Sequence, residues 1–119
     1  DIKLGEGHAC YWEWRGAGNP YATGPSLWFR GGQVLVDNKP LLTVPLNQWI
    51  RVQMSCGLGA QKTGVWKLVV IPPDGQAKVF ANLPLGSADF KELRWLGFSS
   101  SATAATTTWL DNLKLESDQ

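Results

Sequence analysis

The sequence predicts an all-β protein built as an antiparallel sandwich, and three observations carry that expectation. Turn formers recur at short intervals, as in Gly16-Ala17-Gly18-Asn19-Pro20, Gly31-Gly32, Asp37-Asn38-Lys39-Pro40, Gly57-Leu58-Gly59 and Pro72-Pro73-Asp74-Gly75. Between them lie short runs rich in Val, Leu, Ile, Trp and Thr, the pattern of many short strands in a sandwich or barrel. Helical stretches alternating with strands, which a parallel sheet requires, are missing; only residues 87–92 could make a helical turn.

In chain order the predicted strands are residues 9–15, 26–30, 33–36, 41–44, 49–56, 65–71, 77–81, 93–99 and 107–116. Side chains two apart share one face of a sheet. The first run therefore turns Cys10, Trp12 and Trp14 inward and Tyr11, Glu13 and Arg15 outward. The second buries Leu27 and Phe29 and presents Trp28 and Arg30. Over 49–56, Ile50, Val52, Met54 and Cys56 point in, while Trp49, Arg51, Gln53 and Ser55 point out. In the run at 93–99 Arg94 marks a polar direction, but the apolar side is ambiguous. In the last run Leu113 and Leu115 set the inward parity, which carries Trp109 and Asp111 inward and leaves Asn112, Lys114 and Glu116 outside.

A chain of 119 residues is one domain of ordinary size, 1–119, able to bury roughly two-thirds of the surface its unfolded form exposes. Eleven basic and ten acidic side chains leave a formal charge of +1 with no basic stretch, which argues against nucleic-acid binding. The longest apolar runs, such as Val69-Val70-Ile71, are far below the ~20 residues a membrane-crossing helix needs. The chain opens at Asp1 with no initiator Met or apolar leader, and reads as a mature product, an excised piece or part of something longer. Cys10 and Cys56 read as two free core thiols, with a single bridge left open.

Catalytic constellations are sparse. Glycoside hydrolysis needs two carboxyl groups about 5–10 Å apart. Glu13 alone stands on a strand face among aromatics with an arginine near, and a paired strand charge is the favoured reading of it. His8, the only histidine, would have to serve any Ser-His-Asp or Cys-His arrangement; it reads instead as a surface or frayed side chain before the first strand. Residues 57–62 contain glycines but lead from strand to strand, so they read as a hairpin loop rather than a phosphate cradle.

A succession of segments carries a resemblance: Gly24-Pro25-Ser26-Leu27, Asn47-Gln48-Trp49-Ile50-Arg51-Val52, Val65-Trp66-Lys67-Leu68-Val69-Val70, Leu96-Gly97-Phe98-Ser99-Ser100 and Trp109-Leu110-Asp111-Asn112-Leu113. In this order and spacing they resemble the concanavalin A-like (laminin-G-like) lectin and glucanase jelly rolls, above all those attached to secreted bacterial multidomain proteins. The likeness covers residues 24–116. It implies a jelly-roll β-sandwich, a secreted or cell-surface location, and a chain short enough for N-terminal strands to be absent or supplied by another segment. It also implies one structural calcium at Asp111, with Asn112 and Glu6 among its oxygen ligands; the alternative is that Asp111 accepts backbone N–H bonds at a strand end. The Glu-x-Asp-x-x-Glu strand of the family's glucanases is absent.

Seven tryptophans remain to be placed. Trp12, Trp14, Trp66, Trp95 and Trp109 read as core, Trp28 and Trp49 as outward. Aromatic rings suit the apolar faces of sugars, and arginine forks suit hydroxyl and acidic groups. Tyr11, Glu13, Arg15, Trp28, Arg30, Trp49, Arg51, Gln53 and Arg94 are expected on one sheet face, a set that includes all four arginines. The expected function is non-catalytic, lectin-like binding of a neutral or anionic polysaccharide, with neither nucleic acid nor membrane insertion involved. An assembly module comes second, forming a homo-oligomer or pairing with a missing N-terminal segment through an open sheet edge. A glycan hydrolase or lyase using Glu13 comes last.

Overall fold

The computed structural model describes residues 1–117. Ten strands occur among them: β1 (Ile2–Leu4), β2 (Ala9–Arg15), β3 (Thr23–Arg30), β4 (Gln33–Val36), β5 (Lys39–Thr43), β6 (Trp49–Cys56), β7 (Val65–Ile71), β8 (Lys78–Pro84), β9 (Trp95–Ser100) and β10 (Thr108–Leu110). They form two five-stranded antiparallel sheets, ordered β10-β1-β6-β7-β8 and β5-β4-β3-β2-β9. The chain crosses between sheets after β1, β5, β8 and β9, and meanders within a sheet elsewhere.

Local chemistry explains the hairpins. Arg30 pairs with Gln33 around Gly31-Gly32, and Val36 pairs with Lys39 around Asp37-Asn38. All four turn residues have positive φ, which the tight two-residue hairpin turn demands and which Gly and Asn tolerate. The loop at 57–62 holds one 3₁₀ turn, Gly59–Gln61, and joins β6 to β7 as a hairpin connection. Among the described residues no helix is long and apolar enough to cross a membrane.

Alternation builds the core. Leu27, Phe29 and Val34 face Ile2, Leu4, Ile50, Trp66, Leu68 and Val70 across the sandwich, all buried. Trp66 is admitted because its indole N–H donates to the Pro84 carbonyl at 2.9 Å. Phe90, fully buried, closes one end over Gly24, where a Cβ would stand 2.5 Å from the ring.

β5, β8 and β9 differ by one to three residues at their ends from the expected 41–44, 77–81 and 93–99, and three further expectations need correction. A strand at Ile2–Leu4 was not anticipated, since three residues are too few to show a period. β3 begins at Thr23 rather than 26, held there by the Ser87 hydroxyl and amide on the Thr23 backbone. The last strand ends at Leu110, and its parity is reversed. Trp109 pairs with Lys3 on the outer face and is 40% exposed, while Leu113 and Leu115 are 68% and 65% exposed. Asn112, with φ of 54°, breaks the alternation, so parity read back from the leucines does not reach Trp109 or Asp111.

Candidate functional site

Strands β2, β3 and β9 lie side by side in one sheet, and their outward residues come together by register. Tyr11 stands opposite Trp28 and Ser99, Glu13 opposite Ser26 and Gly97, and Arg15 opposite Thr23 and Trp95. Tyr11 and Trp28 stack with centroids 4.3 Å apart and planes at 24°. Leu35, opposite Trp28 on β4, is buried beside this pair.

Next to the stack is a charged centre. Arg15 Nε donates to Glu13 Oε2 at 2.7 Å, and the Ser26 hydroxyl donates to Glu13 Oε1 at 3.4 Å. The Arg15 guanidinium carbon lies 4.3 Å from the Tyr21 ring centroid and 4.1 Å from that of Trp95. Two rings thus hold the guanidinium, an arrangement that fixes a planar cation far better than it would a flexible ammonium. Tyr21 and Trp95 remain 44% and 41% exposed, so this part of the face offers aromatic surface to solvent. Gly97 makes room for it: a Cβ there would run into the six-membered ring of Trp95.

The expected one-face set is divided between the two sheets. Tyr11, Glu13, Arg15 and Trp28 gather as described, and Arg30 shares their side of β3 but stands at its exposed hairpin end. Arg94 precedes β9, its amide bonded to the Arg15 carbonyl and its exposed side chain paired with Glu92. Trp49, Arg51 and Gln53 lie on the outer face of the opposite sheet, because β6 belongs to it. There Lys3 sits between Trp49 and Trp109, its ammonium 5.3 Å and 4.5 Å from their centroids. Arg51 Nε donates to Asp1 Oδ1 at 2.9 Å, and Asn112 Nδ2 donates to Asp1 Oδ2 at 2.6 Å.

The residues expected to hold calcium are not gathered around one point. Asp111 faces Asp1 at one end of β1, whereas Glu6 lies beyond the other end, its carbonyl accepting from the Thr106 hydroxyl. All of β1 and Gly5 lie between Asp1 and Glu6, and Glu6 itself sits in the turn that follows the strand. Asp111 Oδ1 instead accepts the Asn112 N–H at 2.8 Å, the local cap of a strand end. The three residues do not fit a single calcium cage of six to eight oxygens.

His8 also departs from expectation. It is 3% exposed, its Nε2 accepting from the Gly32 amide at 3.1 Å and its Nδ1 bonded to the Gly5 carbonyl at 2.8 Å. Since Nε2 accepts, Nδ1 carries the proton, and the ring ties two loops rather than serving a nucleophile. Cys10 and Cys56 are free thiols. Burial pushes the Cys10 thiol up to about 11, with a bond to Thr108 opposing weakly, and burial also raises Cys56.

Sequence reasoning missed Tyr21, Ser26 and Trp95 as members of this face. Tyr21 sits in a loop with no period, and Trp95 was assigned to the core because its strand had no clear apolar side. The one available signal was Gly97, two residues on from Trp95 and so on the same face.

No protein-family model, curated protein or solved structure matches the chain.

Proposed function

We propose that the chain is a non-catalytic, lectin-like carbohydrate-binding module of concanavalin A-like jelly-roll type, belonging to a secreted or cell-surface protein. The ligand is a polysaccharide, neutral or anionic, lying across the outer face of β2, β3 and β9. The carrying observation is the Arg15 guanidinium held between Tyr21 and Trp95 beside the Tyr11–Trp28 stack. Exposed ring surface accepts sugar C–H faces, and the guanidinium edge left free by Glu13 donates to hydroxyl or carboxylate oxygens. The two five-stranded sheets, with four crossings between them, support the jelly-roll reading.

Glu13 supports binding over hydrolysis. Its carboxylate already accepts from Arg15 and Ser26, and its side chain is 13% exposed. It is a positioning group for Arg15, a role the amide oxygen of Glu13→Gln can still fill by accepting from Nε.

Affinity electrophoresis against a panel of neutral and acidic polysaccharides tests the proposal. Retention is expected to survive Glu13→Gln and Trp49→Ala, and to fall sharply on Trp95→Ala and on Tyr21→Ala. Retention lost on Trp49→Ala and Trp109→Ala but kept on Trp95→Ala would move the site to the opposite sheet. Turnover of any polysaccharide abolished by Glu13→Gln would overturn the non-catalytic reading.

A further inference from the structure

One edge of the β10-β1-β6-β7-β8 sheet is incomplete. β6 runs from Trp49 to Cys56, but β1 covers only Trp49 and Ile50. On its other side β6 is paired along Arg51–Cys56 with β7. Among the described residues nothing pairs with Arg51–Cys56 on the β1 side.

The direction of the unused backbone groups follows from the ladder. Asp1 and Asp111 exchange both bonds, Asp1 N to Asp111 O at 2.8 Å and Asp111 N to Asp1 O at 3.0 Å. Asp1 therefore spends its backbone groups on the β10 side, and by alternation Ile2 turns its own toward Ile50. Along β6 the same alternation sends the N–H and C=O groups of Val52, Met54 and Cys56 toward the unpaired side. Those of Arg51, Gln53 and Ser55 go to β7. Edge groups of this kind are a template for another strand.

A gap of about 930 Å³ lies beside that edge. Trp12, Trp14 and Leu96 from the facing sheet line it together with Val52 and Met54. These are interior side chains of the sandwich, yet Leu96 is 37% exposed. Leu113 and Leu115, following β10 on the far side of the gap, border it as well and are exposed for want of a neighbour.

We propose that this slot is completed by an extended strand that continues β1 on the amino side of Asp1. Its register is fixed by the existing ladder, in which Ile2 pairs with Ile50. The residue joined to Asp1 stands opposite Val52, the third opposite Met54, and the fifth opposite Cys56. These three share the inward parity of Ile2 and Leu4 and are apolar; the second and fourth face solvent. Asp1 itself carries the outward parity, in agreement with its bond to the outward Arg51. The amino group of Asp1 already occupies a ladder position, and burial, with help from Arg51, lowers its pKa, a setting suited to a neutral amide. The occupant is thus a peptide strand of alternating apolar sequence, bound by main-chain pairing and inserted side chains. It stands independently of the carbohydrate reading.

The test appends five residues to Asp1 in two phases. One version places valine at the first, third and fifth positions with threonine between; the other exchanges them. Amide hydrogen exchange is read residue by residue, with Gln53 and Ser55 as internal controls already bonded to β7. The in-phase strand is expected to slow Val52, Met54 and Cys56 severalfold, to slow residues 113–116, and to raise the melting midpoint. The exchanged version is expected to do none of this. Equal protection by both phases, or none by the in-phase strand, overturns the proposal. So does a free peptide that protects as well as the tethered one, which makes the occupant a separate chain. Protection of the same amides in the unextended protein that vanishes on dilution assigns the slot to a second copy and overturns it too. Polysaccharide retention is expected to be unchanged by either extension, so the two readings fail separately.

Discussion

The six-membered ring of Trp95 occupies the space that a side chain on Gly97 would need. The two residues lie on one face of β9, two positions apart, and the absence of a Cβ at one lets the other approach Arg15. Gly97→Ala is therefore expected to displace the Trp95 ring although no sugar-contacting residue is itself replaced. Polysaccharide affinity should fall by about 1 kcal/mol or more, roughly fivefold, in the same direction as Trp95→Ala. Affinity electrophoresis beside a melting curve checks it; unchanged retention would show that ring position is irrelevant.

Arg15→Lys separates charge from shape. Lysine keeps the cation and an ion pair with Glu13, but loses the planar fork between Tyr21 and Trp95. Retention is expected to drop nearly as far as for Arg15→Ala, and more on acidic than on neutral polysaccharides. Equal retention by the lysine variant would reduce Arg15 to a point charge.

At the closed end, Phe90 lies wholly buried on Gly24. Phe90→Ala should cost about 3–5 kcal/mol of stability through the cavity it leaves. Gly24→Ala should also destabilise, because its Cβ has no room beside the ring. Urea unfolding midpoints measure both.

Thiol chemistry reports on the core. Cys10 is buried and its thiol is pushed up to about 11, so near pH 8 it stays protonated and unreactive. In Cys56→Ser, a thiol reagent should label the native protein slowly, and quickly only after denaturant is added. The raised value also sets a pH dependence. The unfolded chain loses this proton first, so the stabilising contribution is whole below pH ~9 and disappears as pH rises toward ~11, up to ~3 kcal/mol. Denaturant titrations from pH 8 to 11 on wild type and Cys10→Ala follow it, the variant showing the smaller loss.

Much of the architecture was legible because it rests on period and turn chemistry. β2, β4, β6 and β7 fall on the expected residues, bounded by turn formers, and β6 and β7 alternate over several positions. β1 was not legible in that way, and β10 falls inside the expected run 107–116 but is only three residues long, since such short strands are held by their neighbours rather than by pattern. The candidate site was half legible. Parity placed Tyr11, Glu13, Arg15 and Trp28 outward, but only topology decides that β6 joins the other sheet, which removes Trp49, Arg51 and Gln53. His8 was misjudged because its buried position depends on the Gly32 backbone, 24 residues away, as well as on the nearby Gly5 carbonyl.

Asn112 has a consequence for the segment that follows it. Its left-handed backbone interrupts the extended chain, so the alternation of β10 does not carry past it. Thr108 and Leu110 look into the sandwich by pairing with Leu4 and Ile2, an even-numbered beat. Beyond Asn112 both Leu113 and Leu115 border the gap together with Lys114 and Glu116. One side-chain amide, tied to Asp1, thus anchors the point from which two exposed leucines follow the rim of the interior.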